Sequence, residues 1–178
     1  MREVLISIQP KWCELIASGK KTVEVRKTKP KCDVPFKCYI YCTLSGSNEF
    51  FKEDCGGDIA EWNRSKMALK KGKVIAEFVC DRITPIAMPY YECVDVVDCE
   101  TTCLSPKEIL DYANHKPLYG WHISELKIYD KPKELSEFRH CHKCEYHSNC
   151  KDGEYSCDGT YRLTRPPQSW CYVGGSNI

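Results

Sequence analysis

The stretch Pro10-Lys11-Trp12-Cys13-Glu14-Leu15-Ile16-Ala17-Ser18-Gly19-Lys20-Lys21-Thr22-Val23-Glu24-Val25-Arg26 changes its hydrophobic period half-way along. Trp12, Leu15 and Ile16 recur at helical spacing, Pro10 suits the first helical position, and Gly19 suits a left-handed stop. After that stop the period becomes two. Val23 and Val25 then face one way, and Thr22, Glu24 and Arg26 the other. A helix end therefore delivers Lys20, Lys21, a carboxylate and a guanidinium into one small region. On spacing alone, this charged face fits a ligand site and a solvated strand carrying surface ion pairs equally well.

Upstream, Val4, Ile6 and Ile8 alternate as a first strand. Downstream, Cys38, Ile40, Cys42 and Leu44 share one face of a strand over residues 37–44, with Tyr39, Tyr41 and Thr43 on the other. Residues 45–57 read as an exposed polar loop. Asp58 to Glu61 has the form of a capping box opening a short helix to about Leu69. Lys73 to Ile83 is a single clear strand by alternation. Ser105-Pro106-Lys107-Glu108 is a second capping box, opening a helix to about Asn114. Trp121 to Tyr129 and Gln168 to Val173 complete the strands. Many short strands with two or three short helices predict an α+β fold, a small mixed barrel rather than a doubly wound sheet.

With 178 residues, the chain can bury one good core in a single domain. Hydrophobic content of 42% and charged content of 29% are those of a soluble globular protein. The net charge of +1 excludes whole-molecule attraction to nucleic acid, so such binding needs a local patch. No apolar run reaches a membrane span, and the N-terminal residues lack a signal-peptide core, so a cytoplasmic protein without membrane contact is expected.

Fourteen cysteines are many for a reducing compartment. Cys13, Cys38, Cys42 and Cys80 sit among apolar residues and read as small core side chains. Cys99 and Cys103 read as unrelated thiols. Cys141, Cys144, Cys150 and Cys157 are different: a CxxC pair and two further cysteines within a short polar segment. A CxxC turn presents two sulfurs to one ion, and tetrahedral zinc takes four such ligands. The expectation is a structural zinc, with His142 or His147 able to replace one cysteine. The metal-bound segment, residues 140–158, is expected as an insertion before the last strand at 168–173. A zinc-stabilised module of this kind could also hold a protein partner.

Gly19-x-Lys21-x-x-Glu24-x-Arg26 matches the GxKxxExR signature of ASCH domains, a group of PUA-like β-barrels. The N-terminal VLISIQPKWCELIASGKKTVEVRK, the segment YGWHISELKIYDKPKELSEF and the ending LTRPPQSWCYV also resemble bacterial and phage members with a cysteine-rich C-terminal segment. The resemblance implies a PUA-like barrel with a cleft beside the first helix, suited to RNA or a nucleotide-like ligand. In that cleft Arg26 could grip a phosphate, Lys21 supply a point charge, and Glu24 orient both. Lys20, Lys27, Lys29 and Lys31 would extend a positive rim, and Tyr39, Tyr41 and Trp121 are possible stacking partners.

The resemblance also implies two enzymatic alternatives. One subgroup is similar to amidohydrolases that deacylate N4-acylated cytidine, using a lysine at the Lys21 position, a threonine at the Glu24 position and a distant glutamate. Here Thr22 lies two residues from that position, about 7 Å along a strand. Glu92, Glu100 and Glu108 are candidates for the distant acid. The other alternative is metal-independent RNA cleavage, with Lys21, Arg26 or Tyr41 as base or charge stabiliser. Binding through Lys20, Lys21, Glu24, Arg26 and Tyr41 without catalysis is the leading expectation.

Overall fold

The computed structural model describes residues 3–44, 71–87, 96–141 and 160–174. The expected loop over 45–57, the helix over 58–69, Glu92, and the cysteine segment beyond Cys141 lie outside the described residues. The elements run β1 (Glu3–Ile8), α1 (Pro10–Ala17), β2 (Val23–Arg26), β3 (Phe36–Cys42), β4 (Val74–Cys80), β5 (Ile83–Ala87), α2 (Val96–Thr102), α3 (Pro106–Ala113), β6 (Leu118–His122), β7 (Ser124–Lys133), a 3₁₀ turn (Leu135–Glu137), β8 (Arg139–Cys141), β9 (Thr160–Arg162) and β10 (Trp170–Gly174).

The result is a mixed α+β fold, but not the closed barrel expected from the sequence. Among the described residues the strands form a seven-stranded sheet, β7-β4-β3-β1-β10-β8-β9, and a three-stranded sheet, β2-β6-β5. The chain twice changes sheet where the sequence reads as one strand. The run from Lys73 to Ile83 is broken at Asp81-Arg82, so β4 belongs to the large sheet and β5 to the small one. The run from Trp121 to Tyr129 is broken at Ile123 in the same way, between β6 and β7. The two breaks are tied together: His122 Nδ1 lies 2.6 Å from Asp81 Oδ1, and the His122 amide donates to the Arg82 carbonyl at 3.0 Å. Ser124 Oγ donates to the Val79 carbonyl at 2.8 Å. These cross-links let both strands leave one sheet at one corner.

At the centre of the large sheet, β1 runs parallel to β3 and antiparallel to β10. Its alternation is as the sequence implies. Val4, Ile6 and Ile8 join Cys38, Ile40, Cys42, Phe78 and Trp121 in a core between the sheets, roofed by Cys13 and Ile16 of α1. Leu5, Tyr39 and Tyr41 face a second core with Phe138 and Val173. Both faces of β3 are therefore buried, where the sequence suggested only alternation. Cys13, Cys38, Cys42 and Cys80 are buried, as small apolar side chains tend to be. Trp121 is fully buried and sits edge-on to Phe36, with ring centroids 5.7 Å apart.

The small sheet packs its other face on α3 through Val25, Ile86, Ile109, Ala113 and Leu118. The Ser105–Glu108 capping box opens α3, and Asn114 closes it in the left-handed conformation. Gly120 allows the close approach in this sheet. A Cβ there would lie 2.7 Å from Ile86 Cδ1 and 2.8 Å from Val23 Cγ1.

Candidate functional site

Helix α1 ends as its sequence dictates. Gly19 takes φ of +74°, and nothing lies within 4 Å of where a Cβ would stand, so backbone conformation rather than space calls for glycine. The Gly19 amide donates to Ile16 and the Lys21 amide to Leu15, turning the chain directly into β2. Strand β2 pairs with β6 in a register that sets Glu24 opposite Trp121 and Val25 opposite Gly120. Val25 consequently enters the core under α3, while Glu24 and Arg26 point into the gap between the sheets.

The charged face is not solvated. Lys21, Glu24 and Arg26 keep only 3%, 6% and 9% of their surface exposed. Glu24 bridges the two cations, with Oε2 3.4 Å from Lys21 Nζ and Oε1 2.9 Å from Arg26 Nη2. Each cation also reaches a main-chain oxygen. Lys21 Nζ donates to the Thr102 carbonyl at 2.7 Å, at the C-terminal end of α2, where the helix dipole favours a cation. Arg26 Nη2 donates to the Ser7 carbonyl at 2.6 Å, across the gap on β1. Burial pushes the Lys21 ammonium below the ordinary lysine value, and Glu24 opposes that shift. Among the described residues, Arg26 Nε is buried without a partner. A guanidinium N–H desolvated in this way is a free-energy cost that an incoming acceptor atom would remove.

This trio lines a cavity of about 730 Å³. Trp12 and Tyr112 supply aromatic surface, and Tyr41 and Thr43 line it from the end of β3. Pro166 to Gln168 form a wall from the far end of the sequence. That wall is fixed to β1: Ser7 Oγ donates to the Pro167 carbonyl at 2.6 Å and the Ser7 amide to the Ser169 carbonyl at 2.9 Å.

The sequence-derived candidates divide accordingly. Lys21, Glu24, Arg26 and Tyr41 meet at the cavity. Lys20 is exposed and does not line it. Thr22 does not line it either; its amide donates to the Thr101 carbonyl, before β2 begins. Trp121 and Tyr39 belong to the two cores and are not stacking platforms. Glu108 is held in its helix cap, and neither it nor Glu100 lines the cavity. Cys141 ends β8, and no cluster of three metal-ligating side chains occurs among the described residues. Ser7, Trp12, Thr43, Tyr112 and the Pro166–Gln168 wall line the cavity too, and no sequence pattern marked them as site residues.

A two-sheet α+β domain with a charged, aromatic-walled cleft beside its first helix is the class that the geometry defines. The family comparison narrows it: the ASCH domain model matches residues 6–146, and the chain belongs to the ASCH domain family. Among solved structures it is similar to the crystal structure of ASCH from Zymomonas mobilis, at 19% identity and a TM-score of 0.56, covering 97% of this chain and 88% of that one. A tyrosine-to-phenylalanine mutant of the Zymomonas mobilis protein gives 17% identity and a TM-score of 0.57, covering 98% and 92%. At such identities the likeness concerns the fold. Comparison with curated proteins gives no match.

Proposed function

We propose that this ASCH domain binds RNA or a nucleotide-containing ligand, seating it in the cavity above Lys21, Glu24 and Arg26. The observation that carries this reading is the Nε of Arg26, without a partner among the described residues and buried at the wall of a cavity that also offers Trp12 and Tyr112. A nucleobase presents what these groups lack. Its edge carries acceptors for the Arg26 N–H, and its faces stack on indole and phenol rings, typically for about 1–3 kcal/mol per base. The PUA-like character of ASCH domains, often linked to RNA binding, supports the same reading.

Titration with single-stranded and structured RNA, for wild type and Arg26→Ala, tests it directly. Binding by wild type and a loss of about tenfold or more in the variant is expected, since a hydrogen bond to a charged group is worth about 1.5–3 kcal/mol. Absent binding, or binding indifferent to Arg26→Ala in a folded variant, would sink the proposal. A hydrolase reading draws support from the depressed Lys21 pKa, which suits a base. It draws none from Thr22, which does not line the cavity. Binding is the stronger reading.

A structural zinc on Cys141, Cys144, Cys150 and Cys157 is part of the same proposal, supported by the spacing of these thiols. Native mass spectrometry should show one zinc per chain, lost in Cys144→Ser. A metal-free wild type purified without chelators would refute it.

A further inference from the structure

The cations of the ASCH signature are already committed. Glu24 faces both, and main-chain carbonyls take further donors from each. A trio with two positive charges and one negative charge, closed on itself between two sheets, has little charge to offer a polyanion. The uncommitted positive charge lies just outside, on the segment that leaves β2. Residues Lys27 to Asp33, with Tyr119, line a second groove of about 530 Å³. Three lysines stand there against the single carboxylate of Asp33. Among the described residues, no carboxylate forms an ion pair with Lys27, Lys29 or Lys31.

This loop is held, not loose. Trp170 Nε1 donates to Thr28 Oγ1 at 3.0 Å, and the Lys31 amide donates to the Tyr172 hydroxyl at 2.6 Å, so β10 fixes it at two points. Two of the ammonium groups are positioned by rings. Lys29 Nζ lies 5.5 Å from the Tyr119 ring, inside the groove. Lys27 Nζ lies 4.8 Å from the ring of Tyr112, and Tyr112 itself lines the main cavity. The groove and the cavity thus adjoin through the Lys27–Tyr112 pair. Cations placed over aromatic faces keep their charge while losing some of their freedom, which lowers the entropic cost of binding an anion.

We infer that the Lys27–Lys31 loop is a second, phosphate-binding site, which takes the backbone of a single-stranded RNA while one of its nucleosides occupies the main cavity. This rests on the proposed cavity function and divides the work of recognition. The cavity reads an uncharged base through hydrogen bonding and stacking, and the loop supplies the charge that follows the strand. Affinity should therefore grow with strand length, and its salt dependence should come from the loop rather than from Lys21 and Arg26.

The test compares the four nucleoside 5′-monophosphates with the four homopolymeric octaribonucleotides, using wild type, Arg26→Ala, and the triple variant Lys27→Gln, Lys29→Gln, Lys31→Gln. The three lysines are on the surface side of the loop, so the triple variant should fold, which circular dichroism verifies. For wild type, an octamer should bind more tightly than its monophosphate. Its affinity should fall about 20-fold further between about 50 and 200 mM salt, as expected for three phosphate contacts on a single strand. The triple variant should lose both the length advantage and this extra salt dependence. Arg26→Ala should weaken monophosphate and octamer alike. An octamer no tighter than its monophosphate, or an advantage that survives in the triple variant, overturns the second site while leaving the cavity function standing. Failure of every probe to bind wild type overturns the cavity function, and this inference with it.

Discussion

Glu24→Ala should lower folding stability by about 3–5 kcal/mol, the usual cost of removing one partner from a buried charged cluster. The substitution leaves Lys21 and Arg26, both almost wholly buried, with the neutral carbonyls of Thr102 and Ser7 and, for Lys21, the face of the Trp12 ring, but without the carboxylate that bridges them. Two desolvated cations without an anion are costly at any pH at which lysine stays protonated. Urea denaturation followed by circular dichroism measures the loss. A change under about 1 kcal/mol would instead be that of an exposed ion pair, and would mean that water reaches the trio freely. Glu24→Gln separates the two contributions. It keeps the shape and a hydrogen bond to Arg26 but removes the charge, so most of the destabilisation should remain.

A chain ending after Cys141 should lose cooperative unfolding altogether. Such a chain lacks β9 and β10, and β10 is not peripheral: it lies between β1 and β8 in the seven-stranded sheet. Its loss would open the hydrogen-bonding edge of β1, whose residues from Val4 to Ile6 are fully buried. It would also remove Val173 from one core and Trp170 from beside Trp121 in the other, where their ring centroids are 5.7 Å apart. Thermal melting and near-ultraviolet circular dichroism give the readout. A sharp transition with retained aromatic signal in the shortened chain would show that the N-terminal strands carry a fold by themselves.

The parts of this fold that were legible in sequence are those governed by local chemistry. Pro10 and Gly19 bracket α1 because each fits a backbone position that few other residues fit, and Ser105 with Glu108 opens α3 for the same reason. Alternation marked β1, β3 and β4 because one face of each enters the core between the sheets. Sheet membership was not legible. Alternation reports which way a side chain points, not which neighbour its backbone pairs with, so the breaks at Asp81-Arg82 and Ile123 stayed hidden within continuous patterns. Helix α2 was also invisible. Its sequence, VVDCETT, is rich in β-branched residues that favour strands, and among its tertiary ties are the Thr101 and Thr102 carbonyls, which accept from residues 22 and 21.

The candidate site shows the same divide. The signature residues were readable, but their burial was not, because nothing in a run of lysines and glutamate says that two sheets will close over it. Tyr41 was within reach of sequence reasoning as an aromatic on an alternating strand. Tyr112 and the Pro166–Gln168 wall come from distant segments that only tertiary structure brings to residues 21–26.

The bond from Ser7 to Pro167 spans 160 residues of chain. At about 5–20 residues per second, a ribosome needs roughly 8–30 s to make the stretch between them. For most of that interval the signature segment has been made while the wall that completes its cavity has not. Long-range pairings of this kind fold slowly, because the closure entropy of a long loop comes before its contacts form. The cavity is thereby completed only once residues 166–168 have been made, and a nascent chain carries the charged motif for many seconds without its wall.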